Sequence, residues 1–129
     1  MNKLNGLTYV DEAERVINSL ITTDRNGNKK LSLTTSKIRN LLTMTNNLYT
    51  RAKGLKEENL PDDLVSDIKY LKMRFAYESG REKTVKEFAQ RANILKYLDS
   101  IGNNKNDLIV FCHYMEALVA YHKFNGGRD

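Results

Sequence analysis

The residues best suited to chemistry in this sequence are basic ones that no acidic residue interrupts. Between Asp24 and Glu57 there is no aspartate or glutamate, and eight residues of the interval are basic: Arg25, Lys29, Lys30, Lys37, Arg39, Arg51, Lys53 and Lys56. An ordinary solvated helix face mixes both signs, because Glu and Lys four residues apart stabilise each other. A segment of one sign favours a polyanionic ligand, although many basic proteins bind no nucleic acid.

The middle of this run is expected to form one face of a helix, because its polar residues recur at spacings of four and three. These residues are Arg39, Thr43, Asn46, Thr50 and Lys53, with Asn40, Asn47 and Arg51 beside them. The stripe faces away from the apolar residues Ile38, Leu41 and Leu48. It offers positive charge, amides and hydroxyls, and no residue that repels phosphate. Such a surface suits sequence-independent contact with a sugar-phosphate backbone.

The start of the same helix is a second candidate site for an anion. Residues 34–37, Thr-Thr-Ser-Lys, place hydroxyls, free backbone N–H groups and the cation of Lys37 at a helix N-terminus, where anions bind readily. The alternative is that the hydroxyls, including that of Ser36, only cap the helix.

A third group of cations lies on the next predicted helix. Lys69 and Lys72 lie side by side there, Arg74 points elsewhere, and Arg81 follows Gly80. Opposite the predicted core face of this helix are three large side chains, Tyr70, Met73 and Tyr77. Aromatic rings beside cations can stack on bases. We expect instead that these three side chains form a second buried face.

The patterns for metal binding are incomplete. Asp24, Asn26 and Asn28 match the first ligands of a calcium loop, but Lys29 stands where the loop needs glycine and Thr35 where it needs glutamate. The two histidines, nine residues apart on one helix, and the single cysteine do not make a zinc site; these are His113, His122 and Cys112. Both histidines are expected to be packed or hydrogen-bonded.

No catalytic motif is present in the sequence. It contains neither a phosphate-binding GxxxxGK[ST] loop nor a GxSxG nucleophile motif, and no nucleophile is paired with a base. The carboxylates Glu78 and Glu82 read as helix-terminal and surface charges. We therefore expect no enzymatic activity, no bound metal and no cofactor.

The composition fits one small domain. The chain has 129 residues, a formal net charge of +5, a pI of about 9.3 and one cysteine, which excludes an internal disulfide. We expect a single helical domain over residues 1–129, with flexible ends at about 1–7 and 125–129. No signal-peptide pattern and no apolar stretch of roughly 20 residues are present, so we expect a soluble, cytoplasmic protein that does not bind a membrane.

Five segments with helical periodicity predict an all-α fold, a compact bundle of about five helices. They cover residues 8–21, 34–54, 61–80, 83–100 and 107–124. Thr8 and Asp11 resemble a capping box, and Gly80 and Gly102 are expected to end the third and fourth helices. The last helix is apolar on nearly every side, which is typical of the central helix of a bundle or of one that pairs with another chain. Only residues 29–33 suggest a strand.

Three stretches of the sequence resemble the small subunit of type III-A CRISPR–Cas (Csm) effector complexes. They are residues 33–40 continuing to 46–49, residues 70–82 continuing to Val85 and Phe88, and residues 114–124. The resemblance implies a non-catalytic helical subunit that sits in several copies beside the backbone and large subunits. It also implies contacts with target RNA paired to guide RNA, while cleavage and cyclic oligoadenylate synthesis belong to other subunits.

The charge pattern and the resemblance together predict which residues bind RNA. They are Ser36, Lys37, Arg39, Arg51, Lys53, Lys72, Arg74 and Arg81. Two alternatives stay open. One is a freestanding helical regulator that binds DNA or RNA, although no helix-turn-helix spacing is visible. The other is a subunit that interacts only with proteins, with the apolar last helix as its interface.

Overall fold

The computed structural model describes residues 4–128. Within that range the chain folds into six helices and one two-stranded hairpin. The elements are α1 (Tyr9–Leu20), β1 (Thr22–Thr23), β2 (Lys29–Lys30), α2 (Thr35–Lys53), α3 (Asp62–Arg81), α4 (Lys83–Arg91), α5 (Ile94–Ile101) and α6 (Lys105–Phe124). The prediction of an all-α, compact bundle is confirmed. Of the ends expected to be flexible, residues 1–3 and 129 lie outside the described residues.

Helix α6 is the centre of the bundle, as its apolar sequence predicts. It packs against α1, α2 and α5, and it buries Phe111, Tyr114, Met115 and Leu118 almost completely. Helices α2 and α3 pack side by side, and α4 and α5 cover the other flank of α3. No helix within residues 4–128 has the length and apolar character that crossing a membrane requires.

The residues that imitate a calcium loop form a tight turn between β1 and β2. The side chain of Asp24 accepts hydrogen bonds from the backbone N–H groups of Asn28 (2.9 Å) and Asn26 (2.8 Å), and these bonds hold the pKa of Asp24 below its usual value. Gly27 has a φ of 84°, a conformation that glycine adopts at no steric cost. The carboxylate of Asp24 therefore stabilises the turn itself.

The first helix begins after Thr8 as predicted, but two other predictions about helix ends are wrong. Thr8 precedes α1, but its side chain makes no capping hydrogen bond, so the predicted capping box is absent. Helix α3 continues through Gly80 to Arg81, and the chain leaves the helix at Glu82. Gly80 does not have a positive φ, so nothing in its backbone ends the helix there.

The segment predicted as one helix over residues 83–100 is two helices, α4 and α5. The chain turns at Asn93, which has a φ of 55° in the left-handed region. Asparagine tolerates this region better than most residues. The break leaves the carbonyl of Ala92 without its helical partner, and the hydroxyl of Tyr114 donates to that oxygen at 3.0 Å. A side chain of α6 therefore supplies the hydrogen bond that the carbonyl of Ala92 loses at the break between α4 and α5.

We expect substitution of Asn93 by alanine to destabilise the fold by about 1–2 kcal/mol, because the left-handed conformation costs that much for a residue with an ordinary Cβ. Asn93→Gly is the matched control and is expected to be close to neutral, because glycine adopts positive φ freely. Urea denaturation of both variants measures the difference. Equal stability of the two would contradict a requirement for the left-handed conformation.

Burial keeps three weakly acidic side chains protonated in the folded chain, those of Cys112, Tyr97 and Tyr114. It raises the pKa of the Cys112 thiol to about 12, and burial together with the hydrogen bond to Glu12 raises the pKa of Tyr97 to about 12. In the unfolded chain these groups ionise near 8.5 and 10. The unfolded state therefore loses protons first as the pH rises.

The free energy of unfolding is expected to be constant near pH 7.5 and to fall as the pH rises from about 8.5 toward 12. Urea denaturation at pH 7.5, 9 and 10.5 tests this. Cys112→Ala should remove part of the decline between pH 8.5 and 10.5, since it removes one of the groups that ionise on unfolding. A stability that does not change up to pH 10.5 would refute the expectation.

Candidate nucleic-acid interface

The predicted polar stripe lies on the exposed face of α2. Its residues are exposed in the fold: Arg39, Asn40, Thr43, Asn46, Asn47, Thr50 and Lys53. Their exposure follows from the opposite side of the helix, where Ile38, Leu41 and Leu48 enter the core. The sequence therefore predicted this face correctly, because one helical period determines both sides.

Two cations of the stripe, Arg39 and Lys53, are not neutralised by neighbouring side chains of the described residues. The guanidinium group of Arg39 makes no ion pair or hydrogen bond with any other residue of the described range 4–128. The Nζ atom of Lys53 lies 5.9 Å from the ring centroid of Tyr49, which attracts the cation without neutralising it. Both positive charges are available to a ligand.

The hydroxyls of the stripe are occupied as donors. Thr43 donates to the carbonyl oxygen of Arg39 and Thr50 to that of Asn46, each at 3.1 Å. A hydroxyl that donates to its own helix keeps its oxygen as an acceptor. These two side chains can therefore accept a hydrogen bond, for example from a ribose 2′-OH, but are not set to donate to phosphate.

Acidic residues of α3 lie beside the stripe, although α2 itself contains none. Arg51 donates to Asp67 at 2.6 Å and to Asp63 at 3.4 Å, and both carboxylates come from the start of α3. At the other end Lys37 pairs with Glu82 at 3.1 Å. The acids that are absent from α2 are supplied by its neighbour, which runs in the opposite direction.

The backbone at the start of α2 is not the free anion site that the sequence suggests. The N–H of Thr35 donates to the carbonyl of Arg128 at 2.8 Å, and the N–H of Lys37 donates to that of Thr34 at 3.2 Å. The hydroxyls of Thr34 and Ser36 lie 3.0 Å apart and bond to each other. Contact between Ser36 or Lys37 and RNA stays a prediction, and it would involve side chains.

The C-terminal residues reach α2 because Gly127 packs directly on His122. A Cβ atom on Gly127 would lie 2.2 Å from the imidazole ring, so a larger residue does not fit. The His122 Nε2 atom is 2.7 Å from the carbonyl oxygen of Leu33. The ring of His113 lies beside those of Tyr9 and Tyr49. The prediction that both histidines are packed or hydrogen-bonded is confirmed.

A cluster on α3 organises two arginines around one tyrosine. Glu78 is only 8% exposed, and it accepts hydrogen bonds from Arg74 at 3.1 Å and from Arg81 at 3.5 Å. The two guanidinium groups lie 5.4 and 5.6 Å from the ring centroid of Tyr77. Glu78 was expected to be a surface charge and is instead the buried anchor of the cluster. An anchored arginine loses less conformational freedom when it binds an anion.

The expected second buried face of α3 is exposed. Tyr70, Met73 and Tyr77 are 51%, 55% and 54% exposed. Tyr70 lies next to α2, where it lines a cavity of about 280 Å³ together with Thr43 and Asn47. The aromatic residues of α3 thus adjoin the polar residues of α2.

The structure brings most of the predicted RNA-binding residues onto one surface, which we call the α2–α3 face. It comprises Ser36, Lys37, Arg39, Arg51, Lys53, Arg74 and Arg81. Lys72 is the exception, because it points to the other flank of α3 and pairs with Asp99 of α5 at 2.7 Å. Sequence reasoning preferred burial for Tyr70 and Tyr77, because helical spacing alone does not distinguish a second core face from an exposed one.

Metal chemistry has no support in the described part of the chain. Among residues 4–128, no three histidine, cysteine, aspartate or glutamate side chains are grouped so that they could hold a metal ion. The carboxylates on the α2–α3 face are instead engaged by arginine or lysine.

Comparison with known proteins relates nearly the whole chain to one family. A family model described as Csm2 Type III-A matches residues 14–128. A "CRISPR system Cms protein Csm2" of Streptococcus thermophilus is 48% identical over 121 residues, which cover 94% of this chain and 93% of the relative. A protein with the same description from Mycobacterium tuberculosis is 41% identical over 94% of each chain. Another, from Enterococcus italicus, is 44% identical over 71% of this chain and 67% of the relative.

Proposed function

Because the chain belongs to the Csm2 family of type III-A CRISPR systems, we propose that it is a non-catalytic subunit of their effector complex that holds target RNA by its sugar-phosphate backbone. In this proposal the target strand is paired to guide RNA, and the chain also contacts the backbone and large subunits and further copies of itself. Base pairing then reads the sequence, which leaves the protein to bind the backbone.

The observation that carries the proposal is the stripe on α2, which is exposed, positively charged and neutralised only at its border with α3. From Arg39 to Lys53 the stripe is about 21 Å long at 1.5 Å per residue, enough to follow several phosphates of one strand. Between these two cations the exposed side chains are amides and hydroxyls, which tolerate any base sequence.

The cluster around Tyr77 extends this surface onto α3. Glu78 fixes the guanidinium groups of Arg74 and Arg81, and the N–H groups not used by Glu78 can donate to phosphate oxygens. The exposed rings of Tyr70 and Tyr77 offer stacking contacts to any base or ribose that turns toward them. Lys72 is not part of the proposed surface, since it lies on the other flank of α3.

A gel-shift series with three samples tests the proposal: the purified chain, the complex without it and the complete complex. One chain presents few phosphate contacts, so the isolated protein should bind RNA weakly and without sequence preference. Several copies along one strand make each further contact intramolecular, so the complete complex should bind target well beyond the affinity of the isolated chain.

Three outcomes would contradict the proposal. Tight or sequence-specific binding by the chain alone would indicate a freestanding regulator. Equal target binding by complexes with and without the chain would indicate a subunit that interacts only with proteins. Nuclease activity of the purified chain would contradict a non-catalytic role.

The α2–α3 face also predicts that Asp67 limits RNA binding. Asp67→Asn should release Arg51, because the 2.6 Å ion pair is replaced by a neutral contact while Asp63 remains at 3.4 Å. One more phosphate contact should steepen the salt dependence by up to about 0.7 and tighten target binding by up to about fivefold at 0.1 M salt.

Asp99→Asn is the matched control, because it adds the same charge but releases Lys72 on the other flank of α3. Target binding by complexes with this variant should not change. An equal gain with both variants would attribute the effect to net charge, and no gain with Asp67→Asn would remove Arg51 from the interface. The measurement is a series of binding titrations at increasing salt.

A further inference from the structure

We propose that a groove between α3, α4 and α5 is a docking site for an acidic segment of another protein subunit, which inserts one large apolar side chain. The groove has a volume of about 480 Å³ and lies on the flank of α3 away from α2. This inference rests on the proposed function in one respect, because it takes the partner to be a subunit of the effector complex.

The floor of the groove is apolar and made mostly of small residues. Ala76 of α3, Ala89 of α4 and Leu95 of α5 line it, and Gly80 leaves it open at one end. A Cβ atom on Gly80 would meet no atom within 4 Å, and the helical backbone there does not need glycine. Alanine would favour the helix by about 0.5–1 kcal/mol at such a position. The missing side chain keeps space open at this end of the groove.

The rim of the groove is positively charged. Lys86 and Lys96 line it and are exposed, and neither forms an ion pair with a residue of the described range 4–128. No aspartate or glutamate among residues 4–128 lines the groove. A segment that presents carboxylates beside an apolar anchor would complement both features, whereas RNA would leave the apolar floor unfilled.

Two changes in the groove test the proposal in complexes reconstituted from purified subunits and guide RNA, without target RNA. Ala76→Phe introduces a large side chain that fills the groove from an exposed position. Lys86→Glu together with Lys96→Glu reverses the charge of the rim. Each change should lower retention of the chain in the complex at least tenfold. The matched controls are Ser66→Phe, also exposed on α3, and Arg25→Glu with Lys29→Glu on the hairpin; both should leave retention unchanged.

A photoreactive amino acid at Gln90, an exposed residue that lines the groove, identifies the occupant. We expect crosslinks to a protein segment with carboxylates around an apolar residue. Crosslinks only to RNA, to a second copy of this chain or to a segment without acidic residues would overturn the proposal, as would unchanged retention of both groove variants. Because target RNA is absent, such a failure leaves the proposed RNA-binding function to its own target-binding test.

Discussion

Replacing Arg39 and Lys53 together by glutamine is expected to weaken target RNA binding by the assembled complex about 25-fold or more at 0.1 M salt. Both cations lie on the exposed stripe of α2, and no carboxylate of the described residues pairs with either. Each lost contact removes about 0.7 from the slope of log K against log salt, so the pair should flatten it by about 1.4. Binding titrations at several salt concentrations measure both effects.

The control for this prediction is Arg25→Gln with Lys29→Gln, which removes the same charge from the hairpin. It should change affinity and slope much less, because these residues lie outside the α2–α3 face. The loss should also be about equal for unrelated guide sequences, since backbone contacts do not read bases. A loss that depends on the target sequence, or an equal loss in the control, would refute the model of backbone contact.

Arg51→Gln is expected to weaken binding less than Arg39→Gln, although both residues look alike in the sequence. Asp67 and Asp63 already occupy the guanidinium of Arg51, whereas the guanidinium of Arg39 has no partner within residues 4–128. This difference could not be predicted from the sequence. Helical periodicity predicts which side of α2 is exposed, but not which acids of α3 come to lie beside it, because that depends on how the two helices are packed.

The parts of the fold that the sequence predicts are those that follow from helical periodicity, and the parts it misses depend on how the helices pack. Long amphipathic segments such as α2, α3 and α6 are visible in the sequence, because each has one face that must be buried. The left-handed turn at Asn93 is not, since no glycine or proline marks it and the residue that stabilises it, Tyr114, lies 22 residues after Ala92. Helical spacing after Leu71 and Phe75 does place Glu78 on the buried face of α3, but it does not show that Arg74 and Arg81 pair with its carboxylate there.

Substitution of Tyr114 by alanine is expected to cause a large loss of stability, about 3–5 kcal/mol. The side chain is fully buried, packs edge-on against the ring of Tyr97 and donates to the carbonyl oxygen of Ala92. Alanine would leave a cavity at the centre of the bundle and an unpaired carbonyl at the break between α4 and α5. Since domains of this kind are stable by only about 5–15 kcal/mol, the melting temperature should fall by about 10 °C or more.

Tyr114→Phe separates the two contributions, because it keeps the ring and removes only the hydroxyl. The buried carbonyl of Ala92 then lacks its partner, which should cost about 1–3 kcal/mol. Tyr70→Phe is the matched control on the exposed face of α3 and should change stability by less than about 0.5 kcal/mol. Thermal and urea denaturation of the three variants measure these differences. If Tyr114→Phe were as stable as the original chain, the hydroxyl would not be what stabilises the break, and the separation of α4 from α5 would have to arise from Asn93 alone.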